Sequence, residues 1–156
     1  MSLAKPLAAA SLVLGLFSAT QALAAENITL NAAGIGVSPV LAWSWGASSS
    51  GSTQVGGGGG AGKANFQDLS LTRVTDSQSP TFLKAVATGV FLPTVTLQDG
   101  AAVITLKDVL VSSYSVGGTA DKKAALTENI SLNFQKFTYQ VNGVSFAWDI
   151  ATNKPL

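Results

Sequence analysis

Residues 57–63 read Gly-Gly-Gly-Gly-Ala-Gly-Lys, the G-x-x-x-x-G-K spacing of a phosphate-binding loop. That chemistry needs glycine N–H groups to wrap a phosphate, a lysine to reach its outer oxygens, and a Ser or Thr hydroxyl for Mg²⁺ where a helix begins. Here Ala64 follows Lys63, with no hydroxyl, and "NFQDLSL" after it has the alternation of a strand. A Ser/Gly stretch precedes the glycines in place of a buried strand, so the residues argue against nucleotide binding. The remaining reactive types are sparse. There is no histidine and no cysteine, which removes Ser-His and Cys-His catalysis and most zinc sites. Asp68, Asp76, Asp99, Asp108, Asp121, Glu128 and Asp149 are scattered, and each is expected to be a solvated or locally capped acid. Ser48, Ser49 and Ser50 lie in the glycine-rich loop without a base. Trp43, Trp45 and Trp148 are expected to be packing aromatics before they are ligand platforms. No catalytic, cofactor-binding or metal residue is assigned, and the chain is expected not to be an enzyme.

The elements that surround the loop are mostly strands. "NITL" (27–30) and "PVLAWSW" (39–45) begin the pattern, the latter with Leu41, Trp43 and Trp45 on one face. Residues 46–62 are largely Gly and Ser, a connection far longer than the usual hairpin loop of about 2–5 residues. Residues 65–74 return as strand. In "SPTFLKAVATG", Ser79 can cap a helix, Pro80 suits its first turn and Gly89 can end it. Phe82, Leu83, Val86 and Val90 then form its apolar stripe. Strands follow at 93–98 and 101–116 around an Asp99-Gly100 turn. Ile130, Leu132 and Phe134 alternate in one phase and Phe137, Tyr139 and Val141 in the other, which predicts a bulge at Gln135-Lys136. Asn142-Gly143 predicts a two-residue hairpin that pairs Val141 with Val144, Tyr139 with Phe146 and Phe137 with Trp148. The expected fold is mainly β: an antiparallel β-barrel of about eight strands in two packed sheets, with one flanking α-helix.

The first 24 residues have a different character. Lys5, the apolar run Leu7–Ala19 and Ala22-Leu23-Ala24 follow the three-part pattern of a secretory signal peptide cut after Ala24. The apolar run is shorter than the roughly 20 residues of a membrane span. This divides the chain into a signal at 1–24 and a single domain at 25–156, exported to the periplasm or beyond, with no stable membrane insertion after cleavage. Loss of Lys5 leaves eight basic and eight acidic residues, so the mature domain is neutral. Neutrality favours association, and the absence of a basic patch argues against nucleic acid as a partner.

Long segments carry a family resemblance. "VLAWSWGASSSGSTQVGGGGGAGKANFQDLSLTR", "ITLKDVLVSSYSVGG", "LTENISLNFQKFTYQV" and "FAWDIATN" resemble the Hcp family of bacterial type VI secretion, over nearly all of 41–153. The resemblance implies a β-barrel of two sheets with one helix. It also implies hexameric rings that stack into a hollow tube, propelled by a contractile sheath and able to hold small effectors. By the same resemblance the loop matching Gly46 to Lys63 reaches toward the adjacent ring. Gly56, Gly57, Gly58, Gly59, Gly60, Gly62 and Lys63 are then ring-stacking residues, with Lys63 as a polar anchor at the end of the loop. The partners implied are further copies of the chain, and the spike, sheath or small effectors of the secretion system. Family tube proteins leave through the machine and need no export signal, and the uncharged "NITLNAAGIGVSP" is shorter than the family's usual first segment. The alternative is therefore an exported Hcp-like ring, filament or binding module outside the contractile machine.

Overall fold

A computed structural model describes residues 27–51 and 62–156. The expected signal segment lies outside the described residues, as do Gly56 to Gly60. In chain order the strands are β1 (Ile28–Ala32), β2 (Gly36–Val40), β3 (Ala42–Ser44), β4 (Ala47–Ser49), β5 (Ala64–Phe66) and β6 (Leu69–Val74). The helix α1 (Ser79–Thr88) follows, then β7 (Phe91–Asp99), β8 (Ala102–Gly117), β9 (Thr127–Val141), β10 (Val144–Asp149) and β11 (Lys154–Pro155). All pairings are antiparallel.

β9 organises the sheet. β8 borders its whole length on one edge, from Ala102 opposite Val141 to Gly117 opposite Thr127. On the other edge β6 covers the first half and β10 the second. β7, β1 and β2 continue beyond β8. The β9–β10 hairpin has the predicted register, with Val141 opposite Val144, Tyr139 opposite Phe146 and Phe137 opposite Trp148. Its turn residues Asn142 and Gly143 have φ of 50° and 82°, the positive pair that a type I′ turn demands.

The phase change in β9 is present, but a bulge there does not produce it. The buried residues switch from Ile130, Leu132 and Phe134 to Phe137 while the ladder to β8 keeps one register from Leu132 to Val141. The same switch occurs in β8, between Leu106 and Val109, and in β7, between Leu92 and Val95. The three switches share one cross-strand line, through Pro93, Asp108 and Gln135, where pairing is interrupted in both ladders. Pro93 has no N–H to give, and Asp108 adopts a φ of 53°. The strands crease there and pass from one layer of the barrel to the other, as strands do at corners between packed sheets. The register shift that does exist lies in β8, between Val111 and Ser113. Ser112, the extra residue, turns its hydroxyl to Asp68 Oδ2 at 2.5 Å.

Two expected strands are each divided. The 39–45 segment breaks at Leu41, because β2 pairs with β1 whereas β3 pairs with β6. Leu41 is 56% exposed and does not share the half-buried setting of Trp43 and Trp45. The 65–74 segment breaks at Gln67-Asp68, where β5 leaves β4 and β6 joins β9. The Asp99-Gly100 turn moves one residue on: Asp99 still pairs with Ala102, so Gly100 and Ala101 form the tip. Ser79 is the first helical residue instead of the cap. Gln78 holds the cap position without a side-chain capping bond, and Ser79 Oγ accepts from the Asp76 N–H at 2.9 Å. Gly89 ends the helix as expected. The helix buries Phe82 and Ala85, three apart, and leaves Leu83 exposed; Val90, expected in its stripe, lies beyond its end and is exposed as well.

The core is a single cluster that includes Leu30, Leu69, Leu71, Phe82, Val95, Ile104, Leu106, Val109, Ile130 and Leu132. No backbone ladder joins β2 to β6. Their approach is held instead by Arg73 Nη1 donating to Ser38 Oγ at 2.6 Å and by the Leu41 N–H donating to the Thr72 carbonyl at 2.8 Å. The predicted class stands, as a barrel that leaves one seam open to side chains.

Candidate assembly surface

The long connection between Ser49 and Ala64 rises from a short ladder of its own. Ala47, Ser48 and Ser49 pair with Phe66, Asn65 and Ala64. Below that ladder, the Gln67 N–H donates to the Gly46 carbonyl and the Trp45 indole N–H donates to the Gln67 carbonyl, both at 2.9 Å. Phe66 lies 4.8 Å from the Phe137 ring and Trp45 lies 4.9 Å from it. Aromatic pairs at such separations add about 0.5–1.5 kcal/mol beyond their buried area. The base of the connection is thus fastened to β9. At its neck Gly62 meets Ser50 and the Gly51 backbone so closely that a Cβ would overlap both. Lys63 is exposed and leads directly into β5. A strand after the lysine, where a phosphate loop needs a helix N-terminus, removes the geometric basis for nucleotide binding.

Asp68, Asp99 and Asp149 are tied into local structure. Asp68 accepts from Ser112 and from Asn133 Nδ2, the latter at 2.8 Å. Asp99 accepts from the Trp43 indole at 2.8 Å, and Asp149 Oδ1 accepts from the Thr152 N–H at 3.0 Å. Among the described residues no cluster of acids could hold a metal ion. Glu128 corrects the expectation of solvated acids, for it is 0% exposed. It pairs with the equally buried Arg73 and accepts from the Tyr114 hydroxyl at 2.7 Å. Arg73 also pairs with Asp76 and lies over the Phe82 ring at 5.1 Å. Burial pushes the Tyr114 phenol above its ordinary range, and its bond to Glu128 pushes the same way. The signal was present in the alternation. Arg73 has the parity of Leu69 and Leu71, and Glu128 that of Ile130 and Leu132, so both charges point inward on neighbouring strands.

Several large apolar residues are exposed among the described residues. Phe91, Val90, Leu83, Val144, Phe146 and Tyr139 are all more than a third exposed. Exposed apolar surface of this kind suits contact with protein.

A family model described as "Type VI secretion system effector, Hcp" matches residues 32–141, most of the barrel together with the long connection. The chain belongs to the Hcp family. Protein hcp1 of Pseudomonas aeruginosa strain PAO1 is a relative 43% identical over 134 residues, which cover 73% of this chain and 82% of the relative. The Hcp fold is also that of Hcp1 from Salmonella typhimurium, with a TM-score of 0.72 at 24% identity, covering 85% of this chain and 99% of that one. A further structure, of a type six secretion system protein, gives 0.77 at 21% identity, covering 85% and 100%. Hcp proteins are secreted type VI proteins that form oligomeric rings, and this Hcp chain is a type VI tube or effector protein. No helix among its described residues is long and apolar enough to cross a membrane.

Proposed function

We propose that the chain is a ring subunit whose output is shape: six copies close into a ring, and rings stack into a tube able to carry small effectors. The observation that carries this reading is the family match across 32–141, which spans the barrel and the connection at once. The fastened base of that connection supports its use as a stacking element. Gly56, Gly57, Gly58, Gly59 and Gly60 lie outside the described residues; with Gly62 and Lys63 they form the proposed contact between rings. Sheath, spike and small effectors are the further partners of this reading, and neither catalysis nor a cofactor belongs to it. Negative-stain imaging of purified 25–156 tests it. Six-fold rings or tubes are expected, and a monomer at high concentration overturns it.

A second reading rests on Lys5, the apolar run and Ala22–Ala24. Under it the barrel is exported by the general pathway and works as a ring, filament or binding module in the periplasm or outside the cell. Cells lacking the contractile sheath separate the two: continued export supports the second reading, and loss of export supports the first.

A further inference from the structure

One part of the exposed apolar surface is concave. A groove of about 520 Å³ lies between the β1–β2 turn, one face of α1 and the start of β7. It exists because β1 leaves β7 there. The Ala33 N–H still donates to the Thr94 carbonyl at 2.9 Å, but the ladder between the two strands ends with Ala32 opposite Val95. The chain then reverses, and among the described residues β7 runs back to Phe91 with no strand on that side. The helix walls the gap with Thr81, Lys84 and Thr88, which stand at i, i+3 and i+7 and so share one face. The walls opposite are apolar, formed by Ile35 of the turn and by Phe91 and Pro93 of β7. The size is within the range of about 300–1,000 Å³ of clefts that enclose a whole small molecule.

Charge decides what fits. Lys84 is the one charged residue in the lining, no acid lines the groove, and Lys84 takes part in none of the ion pairs among the described residues. One cation and two hydroxyls on one wall, with apolar walls opposite, match a molecule with a single negative end and an apolar body. A carboxylate at Lys84 forms a charge-assisted hydrogen bond there. The helix sets the direction. Its carbonyl end, at Thr88, repels an anion, so the carboxylate lies by Thr81 and Lys84 and the tail lies against Ile35, Phe91 and Pro93. A membrane surface is a poorer match, because anionic bilayers are held by clusters of about 4–8 lysines and arginines and this groove has one lysine. We infer that the α1–β7 groove binds a free long-chain carboxylate, with Lys84 at its head and Phe91 along its tail. One copy of the chain supplies the whole lining, so the inference does not depend on the ring reading.

Dodecanoate, kept below its micelle-forming concentration, is titrated into 25–156 by calorimetry, and backbone amide shifts locate it. Saturable binding of one molecule per chain is expected, with shifts at Ala33–Ile35, Thr81–Thr88 and Phe91–Pro93. Dodecyltrimethylammonium has the same tail and the opposite charge, and is expected to bind at least about 10-fold more weakly. Lys84→Gln is expected to weaken dodecanoate about 5-fold, the size of one partly exposed ion pair, and to narrow the preference between the two heads. Phe91→Asp, at a site already 60% exposed, is expected to weaken dodecanoate at least about 10-fold with unchanged far-ultraviolet circular dichroism. Val144→Asp, exposed elsewhere, is expected to leave binding unchanged. If Phe91→Asp fails to fold, Lys84→Gln at its exposed helix position decides the matter. No saturable binding of dodecanoate, equal binding of the two heads, unchanged binding in Lys84→Gln, or shifts confined to another surface overturns the inference. Retention on phosphatidylglycerol vesicles without binding of free dodecanoate shows a membrane surface instead and overturns it too.

Discussion

Arg73 and Glu128 stand directly opposite one another on β6 and β9, with Nε 2.8 Å from Oε1 and both side chains 0% exposed. The pair belongs to the β6–β9 ladder beside the seam between β6 and β2, and Arg73 reaches across that seam to Ser38 on β2. A buried ion pair of this kind adds little net stability over apolar residues of equal volume, but loss of one partner strands the other charge.

Arg73→Met is therefore expected to destabilise the domain by about 3–5 kcal/mol. The Arg73→Met/Glu128→Met double variant should recover most of that loss, because no unpaired charge remains. Denaturant midpoints of the four members of the cycle measure the coupling. A single variant within about 1 kcal/mol of the parent would show that the pair is dispensable.

Tyr114 gives the seam a pH limit. Its phenol is held above the ordinary value of about 10, so the folded state keeps the proton where the unfolded chain releases it. The sign follows by linkage: this contribution is complete below the unfolded value and declines as pH rises through the range between the two. Denaturant midpoints are expected to fall above about pH 10, and to fall less in Tyr114→Phe. Absorbance of the phenolate in a Tyr139→Phe variant offers a second reading, since Tyr114 is then the one tyrosine left and should titrate late. Titration at the ordinary phenol value would contradict the shielding of Tyr114.

Much of this architecture is legible from residue types. The Asn142-Gly143 turn and the alternation on either side of it set the hairpin register without tertiary information. Alternation also held the key to Arg73 and Glu128, but general expectations about charged residues obscured it. The crease through Pro93, Asp108 and Gln135 was visible in β9 only as a lost phase. A single strand cannot show whether an inserted residue or a bend shared by three strands restores it. The breaks at Leu41 and Gln67-Asp68 were hidden for a related reason, as they arise from exchange of partner strands and not from local propensity. The assembly surfaces were least legible. Phe91 and Phe146 look like core residues in sequence, and only the folded sheet shows that both are more than half exposed.

Gly62 tests whether the neck of the long connection is closed. A Cβ there would meet Ser50 and the Gly51 backbone, and backbone cannot swing aside as a side chain end can. Gly62→Ala is expected to cost about 1–3 kcal/mol, in the range of other overpacking changes, if the β4–β5 ladder stays paired. If the ladder opens instead, the loss is local. Hydrogen exchange then accelerates at Ser48–Ser49 and Ala64–Phe66, and the core strands remain protected. An unchanged midpoint together with unchanged exchange would mean that the neck is open in solution.

Removal of Gly56 to Gly60 separates folding from stacking. Ser49 pairs with Ala64, so fourteen residues join the two strand ends, and the deletion leaves nine. Nine still exceed the roughly 2–5 residues that a hairpin needs. Shortening the connection from fourteen residues to nine lowers its closure cost by only about 0.4 kcal/mol, from the logarithmic dependence on length. The core also stays intact, because Trp45, Phe66 and Phe137 pack against one another and none of them is deleted. The shortened protein is thus expected to fold with an unchanged or slightly higher midpoint, to form rings and to fail to stack them. Sedimentation and negative-stain imaging distinguish single rings from tubes. Tubes of normal length from the shortened chain would remove the loop from the stacking contact, and an unfolded product would place it in the core.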